Sequence, residues 1–328
     1  MREARKEVSD HPSFRHVASF LDATRGPSIE ASKVSGALLG LGVGNALGIP
    51  FEGQSRDWIQ TAPADRLREI GAWEKDELWD DDTAQTVILA EAFLDKGHLD
   101  RQDVAERLLE WRNQNGRGIG LLTAEVLGKL TTGMAPWEAA QAAWENSGQQ
   151  AAGNGAVMRC APVALACWAS GERLVDQAIE SSLVTHFDPR CVATVVALTA
   201  VIAVCLTGFE PDLEQLAKAL ERDGSPLEVA EATKHVPLSA LDLDNPRAMG
   251  YTIKAYQVGL WSLTQSKFED SLVAVVSEGG DTDTNGAVAG AVMGARLGIE
   301  AIPSRWIESL HDPAGLKDLS ERLTRRFG

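Results

Sequence analysis

Residues 279–298 read Gly-Gly-Asp-Thr-Asp-Thr-Asn-Gly-Ala-Val-Ala-Gly-Ala-Val-Met-Gly-Ala-Arg-Leu-Gly. From Thr284 onward the apolar positions fall three and four residues apart, which is the spacing of an α-helix. Gly286, Gly290, Gly294 and Gly298 recur on every fourth residue, and Gly36, Gly40, Gly44 and Gly48 do the same. Glycine in a helix interior costs about 0.5–1 kcal/mol relative to alanine. A stripe of it is tolerated where that face meets another backbone at close range. The charges in the intervening sequence rule out a membrane dimer. The two glycine helices are therefore expected to cross near the centre of the fold. If they cross each other, Glu52, just past the first, converges on Asp281–Thr284, which open the second.

The rest of the chain repeats the helical spacing, at residues 83–94, 101–112, 136–145, 189–206, 213–220 and 246–264. Alternating strand-like runs and hairpin dipeptides between them are absent, and short loops punctuated by Gly and Pro leave no linker. The expectation is an all-α fold, a single compact multi-helix domain spanning residues 35–328. Residues 1–34 form an N-terminal extension with a short amphipathic helix over 11–23 (Phe14, Val17, Phe20, Leu21), closed by Arg25-Gly26-Pro27. Two readings stay open for it: a helix docked on the domain, or a partner-binding arm.

Composition narrows the class further. With 44% hydrophobic and 24% charged residues the 328-residue chain is ordinary for a globular protein with a large core. A net charge of −16, with no basic stripe, argues against nucleic acid. Cys160, Cys167, Cys191 and Cys205 lie in apolar segments without a CxxC pair and read as buried thiols in a reducing compartment. Residues 1–10 are charged throughout, so no signal peptide is expected. Cys191 to Gly208 carries no charge but is rich in Ala and Thr and has no aromatic belt; it reads as a buried central helix rather than a bilayer span. A soluble, cytoplasmic protein without a membrane segment is expected.

Two acidic clusters carry the chemistry. Gly279-Gly280-Asp281-Thr282-Asp283-Thr284 places two carboxylates and hydroxyls at a helix entry, more than capping requires. Trp79-Asp80-Asp81-Asp82-Thr83 sets three adjacent carboxylates at another, where they repel unless a cation or the helix N-terminus offsets them. Either alone reads as an acidic helix start; together they favour an oxygen-ligated divalent cation. Asp281-x-Asp283-x-Asn285-Gly286 copies half an EF-hand loop, but its twelfth position is Val292. An aspartate-nucleophile phosphatase would put its first Asp at a strand end, and four residues, Ser277-Glu278-Gly279-Gly280, intervene here. Gly40-x-Gly42-x-Gly44 lacks the strand of a dinucleotide fingerprint. Gly153-Asn154-Gly155 runs towards a helix whose start could offer amides to a diphosphate. Thr185-His186-Phe187-Asp188-Pro189 precedes the central helix, with Asp188 as N-cap; His186 is either a core histidine or a substrate contact. Gly116-Arg117-Gly118-Ile119-Gly120 is a flexible turn.

Taken in order, residues 44–52 (GNALGIPFE), Asp81-Asp82-Thr83, Gly118-Ile119-Gly120, residues 153–159, Thr185-His186 and residues 279–284 resemble the ADP-ribosylglycohydrolase family, over about residues 35–305. The resemblance implies an all-α fold with a binuclear Mg²⁺ or Mn²⁺ centre in a cleft, hence two divalent cations as cofactor. It implies Asp81, Asp82, Asp281, Asp283 and Thr284 as metal ligands, and Asp80, next to them in the first cluster, is a further candidate ligand. Glu52 and Asp283 are implied in catalysis, and Gly118, Gly153, Asn154, Gly155 and His186 in substrate contact. Where the family usually has Thr, this chain has Asp80; where it often has Asp, Asn45; where some arginine-specific members have an acid, Gly118.

The implied function is metal-dependent hydrolysis of the N-glycosidic bond of ADP-ribosylated protein side chains, arginine first, with serine linkage, O-acetyl-ADP-ribose or a modified nucleotide as other acceptors. An aromatic side chain is expected to stack on adenine. A second reading makes the chain an immunity protein that occludes an ADP-ribosyltransferase toxin through residues 1–27. A third makes it an inactive metal-binding homologue.

Overall fold

Two helices, Ala31–Gly48 and Thr282–Leu297, run antiparallel through the middle of the molecule with their backbones touching. A Cβ on Gly36 would lie 2.3 Å from the carbonyl oxygen of Gly294, and one on Gly40 the same distance from that of Gly290. On Gly44 it would lie 1.9 Å from that of Gly286. At the last turn Gly48 meets Thr282, whose hydroxyl donates to the Gly48 carbonyl at 2.8 Å. No side chain fits along this seam, so the glycine stripes are the condition for the two axes to approach this closely. The computed structural model describes residues 11–63, 65–71, 79–234 and 236–328.

The flanks of the pair are apolar on both sides and enter two cores. Val34, Ala37, Leu38 and Leu41 join Val288, Ala291 and Val292 in the larger one. Leu39, Val43 and Leu47 join Ala289 and Met293 in the other, with Phe268, Leu272 and Trp306. A helix hydrophobic all round belongs inside a protein, and the uncharged Pro189–Leu206 is the second case: Cys191 to Leu206 are buried without exception. Asp188 caps it, accepting from Arg190 N at 2.9 Å. By length and composition this helix and residues 31–51 could each cross a membrane, but 89% and 83% of their apolar windows are buried inside the fold.

Among the described residues there is no strand, only the isolated bridges Ser55–Gly279 and Gly153–Tyr251. The helices expected at 101–112, 136–145 and 213–220 run Arg101–Gln114, Pro136–Asn146 and Leu213–Arg222. The expected helix at 246–264 starts only at Thr252 and ends at Ser262. Gly250, with φ 77°, turns the chain before it. The backbone there pairs instead with residues 152–154: Asn154 N donates to Gly250 O at 2.9 Å and Thr252 N to Ala152 O at 3.0 Å.

In the N-terminal segment the helix is Arg15–Thr24, and Phe14, Val17, Phe20 and Leu21 are buried in the larger core. Asp223 holds its first turn, accepting from His16 N and Val17 N at 3.0 Å. The apolar face that a partner-binding arm would offer is thus covered by the domain over residues 14–21. Residues 1–10 of that arm lie outside the described residues.

Candidate metal centre and cleft

The seam of the glycine helices ends at the acidic residues. Helix Thr282–Leu297 has Asp281 at its N-cap and Asp283 in its first turn. Helix Asp81–Lys96 has Asp80 at its N-cap and Asp81 and Asp82 in its first turn. Two helix N-termini therefore point at one cluster of carboxylates, and each contributes positive partial charge there. The strip after the first glycine helix is tied to the turn before the second by Gly53 N to Gly280 O and Gly280 N to Gln54 O, both 2.8 Å. That tie brings Glu52 to the cluster.

Asp80, Asp82 and Asp283 are buried, and one carboxylate oxygen of each lies within 4.8 Å of the others, so the three could hold a metal ion. Asp82 Oδ1 and Asp283 Oδ1 are buried with no hydrogen-bond partner among the described residues. Buried polar oxygens are normally satisfied, and a hard divalent cation suits an oxygen-only set of this kind. Asp82 Oδ2 accepts from Thr284 Oγ1 at 3.4 Å and from Asn45 Nδ2 at 3.3 Å, while Asn45 Oδ1 takes the Thr83 hydroxyl at 2.8 Å. Burial, then the charges of their neighbours, raises the carboxyls of Asp81, Asp82 and Asp283 well above the ordinary range. Glu52, exposed at the rim, is also raised, by partial burial and then by Asp281 and Asp80.

Beside the cluster lies a cavity of about 300 Å³. Glu52, Asp81, Asp281, Asp283 and Thr284 line it together with Gly118, which lies against Asp80 and Asp81, and with Gly153, Asn154, Gly155 and His186. The candidate residues named from sequence thus come together here, with Asp80 and Asp82 next to Asp81 in the cluster. Asn154 Nδ2 donates to Asp281 Oδ2 at 2.7 Å and links residues 153–155 to the acids. One expectation needs correction. The helix after Gly153-Asn154-Gly155 begins only at Ala161, and the Asn154 amide already serves Gly250, so of this loop the amides of Gly153 and Gly155 are those left to face a ligand. Among the described residues that line the cavity none is Phe, Tyr or Trp, and Leu121, Leu122, Met158 and Met249 supply apolar surface.

Leu121, Leu122, Thr123 and Met249 were not among the residues expected here, nor was the link from Gln85 through Arg159 to Thr185 behind the cavity. Arg159 Nη1 donates to Gln85 Oε1 and Nη2 to Thr185 Oγ1, which contacts His186 Nδ1. The available signals were an arginine inside the apolar run Ala156-Val157-Met158-Arg159-Cys160-Ala161 and Gln85 one helical turn past Asp81. A wider groove of about 840 Å³ on the far core is lined by charges that pair with each other, Arg68 Nη1 with Glu269 and Nη2 with Asp270, both at 2.9 Å.

An all-helical fold with a buried carboxylate cluster at the mouth of one cavity defines a class of candidate metal-dependent proteins. The sequence model of the ADP-ribosylglycohydrolase family matches residues 26–328, and the chain belongs to that family. It is 32% identical to an uncharacterized protein of Archaeoglobus fulgidus, over 89% of this chain and 95% of that one. It is 27% identical to the ADP-ribosylarginine hydrolase of Serratia proteamaculans, over 89% of this chain and 78% of that one. A solved structure titled ADP-ribosylglycohydrolase-related protein complex superposes with a TM-score of 0.73 at 28% identity, covering 91% of this chain and 99% of that chain.

Proposed function

We propose that this protein hydrolyses the N-glycosidic bond between ADP-ribose and a protein arginine, releasing ADP-ribose, with two divalent cations, Mg²⁺ or Mn²⁺. The observation that carries the reading is the pair of unpartnered buried oxygens, Asp82 Oδ1 and Asp283 Oδ1, beside a cavity lined with further acids and with Gly153 and Gly155. Asp80, Asp81, Asp82, Asp281, Asp283 and Thr284 are the residues that would hold the cations. When bound, such cations supply Lewis-acid polarisation of substrate oxygens and make water a stronger nucleophile.

In the balanced reaction the C–N bond at the anomeric carbon breaks, a C–O bond to water forms, and the water's proton passes to the departing guanidine nitrogen. Glu52 is the group suited to carry that proton, since its carboxyl sits exposed at the rim of the cavity beside Asp281 and Asp283. Gly153 N, Gly155 N and His186 would hold the diphosphate end, and the Leu121–Leu122–Met158–Met249 surface would receive the adenine. Arginine is favoured over serine as acceptor by the likeness to the Serratia relative, which is named an ADP-ribosylarginine hydrolase.

The test is incubation with ADP-ribosylarginine and ADP-ribosylserine peptides, with and without Mg²⁺ or Mn²⁺, reading free ADP-ribose. Release from the arginine peptide that stops on chelation is expected. Asp283→Ala should abolish it with helical circular dichroism intact; full activity in that variant sinks the metal assignment. Cleavage of the serine peptide alone would move the acceptor, and cleavage of neither would overturn the hydrolase reading.

A further inference from the structure

Arg159 is wholly buried and its guanidinium branches in two directions. One branch runs from Nη1 to Gln85 Oε1 at 2.5 Å, and Gln85 Nε2 donates onward to Asp81 Oδ2 at 3.4 Å. The other runs from Nη2 to Thr185 Oγ1 at 2.6 Å, and that hydroxyl lies 2.7 Å from His186 Nδ1. The direction of the second branch follows from donor counting. A guanidinium only donates, so Thr185 Oγ1 must accept from Arg159, and its single proton then needs a buried acceptor of its own. His186 Nδ1 is that acceptor. A neutral imidazole that accepts at Nδ1 carries its proton on Nε2.

That Nε2 lies on the side of the ring next to Gly153 and Gly155, which line the cavity with His186. A Cβ on Gly153 would lie 3.3 Å from it and one on Gly155 3.2 Å, and His186 is part of the cavity wall. Among the described residues nothing hydrogen-bonds to it. The ring is neutral throughout the working pH range, because burial and then the charge of Arg159 hold it down to about 3.

We propose that Arg159 is a positioning residue for both His186 and Asp81: through Thr185 it fixes His186 as the Nε2–H tautomer, a hydrogen-bond donor for a phosphate oxygen of the ligand, and through Gln85 it orients Asp81. A planar fork with donors in two directions is what the geometry requires, and a lysine's single ammonium point does not supply it. The ligand's identity rests on the function proposed above; the tautomer and its cause do not.

The experiment separates the two. Long-range ¹H–¹⁵N spectra of the imidazole rings in the ligand-free full chain report which nitrogen of His186 carries the proton, and titration with ADP-ribose reports binding. Expected results are Nε2–H in the wild type, appearance of Nδ1–H in Thr185→Val with about tenfold weaker ADP-ribose binding and a raised KM at little-changed kcat, and restoration of both by Thr185→Ser. Arg159→Lys should lose the tautomer preference as Thr185→Val does; if it fails to fold, the Thr185 pair carries the test. Nδ1–H in the wild type overturns the proposal, as does a Thr185→Val protein unchanged in both tautomer and binding. A wild type that shows Nε2–H yet binds no ADP-ribose supports the positioning and removes the substrate reading instead.

Discussion

The carboxylate of Asp80 stands where a side chain on residue 118 would begin: a Cβ on Gly118 would lie 2.0 Å from Asp80 Oδ1 and 2.8 Å from Asp81 Oδ1. Gly118 also sits at φ 75°, the left-handed region, where a Cβ costs about 1–2 kcal/mol in its own right. Acid at 80 and glycine at 118 are therefore one steric unit. Gly118→Ala should be destabilising beyond the backbone term, and Asp80→Ala should recover that excess. Denaturant unfolding of the two single variants and the double variant measures it; strictly additive effects would show that the residues do not compete for space.

The crossing at Gly44 offers a sharper contrast. There a Cβ would lie 1.9 Å from Gly286 O and 2.4 Å from Gly286 C, backbone atoms that cannot rotate aside. Gly128, in helix Leu121–Leu130, has nothing within 4 Å of the same position. Gly44→Ala should lower stability by about 1–3 kcal/mol or more, as overpacking does. Gly128→Ala should raise it by up to about 1 kcal/mol, from helix propensity and a less free unfolded chain. Urea midpoints of the pair decide; a stabilising Gly44→Ala would refute the close-packed seam.

These two positions show why much of the fold was legible. The four-residue glycine spacing is a property of the helical backbone itself, so the central crossing, and with it the meeting of Glu52 and Asp281, could be read from sequence. The acidic residues were visible as types in excess of what caps need. What escaped was set by tertiary partners. The apolar spacing of 246–264 continues through Met249 and Gly250, yet the backbone there is claimed by Ala152 and Asn154. Gln85 looks like an ordinary helix residue until Arg159 reaches it from another segment. That Asp80 and Gly118 share one space is likewise invisible in a pattern that records each position alone.

The cysteines give a prediction independent of the site. Burial pushes the thiols of Cys160, Cys167 and Cys205 up to about 12 and raises that of Cys191 well above its ordinary value. The thiolate is the reactive form. In the native protein all four should therefore resist a thiol reagent near neutral pH and become reactive together on unfolding. One thiol that labels rapidly in the folded state would contradict its placement in the core.

Stability should depend on pH in a direction set by the acidic cluster. Asp81, Asp82 and Asp283 are raised in the folded chain, by burial first, so the native state retains protons that the unfolded state has released. Stability then falls as pH rises from the ordinary carboxylate range, about 4, through the raised values. A cation that binds the deprotonated carboxylates acts oppositely, and more strongly at higher pH. In EDTA the Tm should fall as the pH is raised above the ordinary carboxylate range, about 4, and Mn²⁺ should raise it more at the higher pH. Indifference of the Tm to Mn²⁺ throughout would count against a cation site.

Asp283→Asn isolates the charge from the shape. The side chain keeps its volume, but a buried carboxylate with an unpartnered Oδ1 becomes a neutral amide able to donate to a neighbouring acid. Without cation, the native state loses one of the like charges that Asp281, Asp82 and Glu52 oppose, so the variant in EDTA near pH 8 should melt above the wild type. With Mn²⁺ the order should reverse, because an amide is a weaker ligand than a carboxylate for a hard divalent ion. A merely structural aspartate would give a lower Tm under both conditions. Melting curves of the two proteins with and without cation distinguish these cases, and a variant that gains as much from Mn²⁺ as the wild type removes Asp283 from the ligand set.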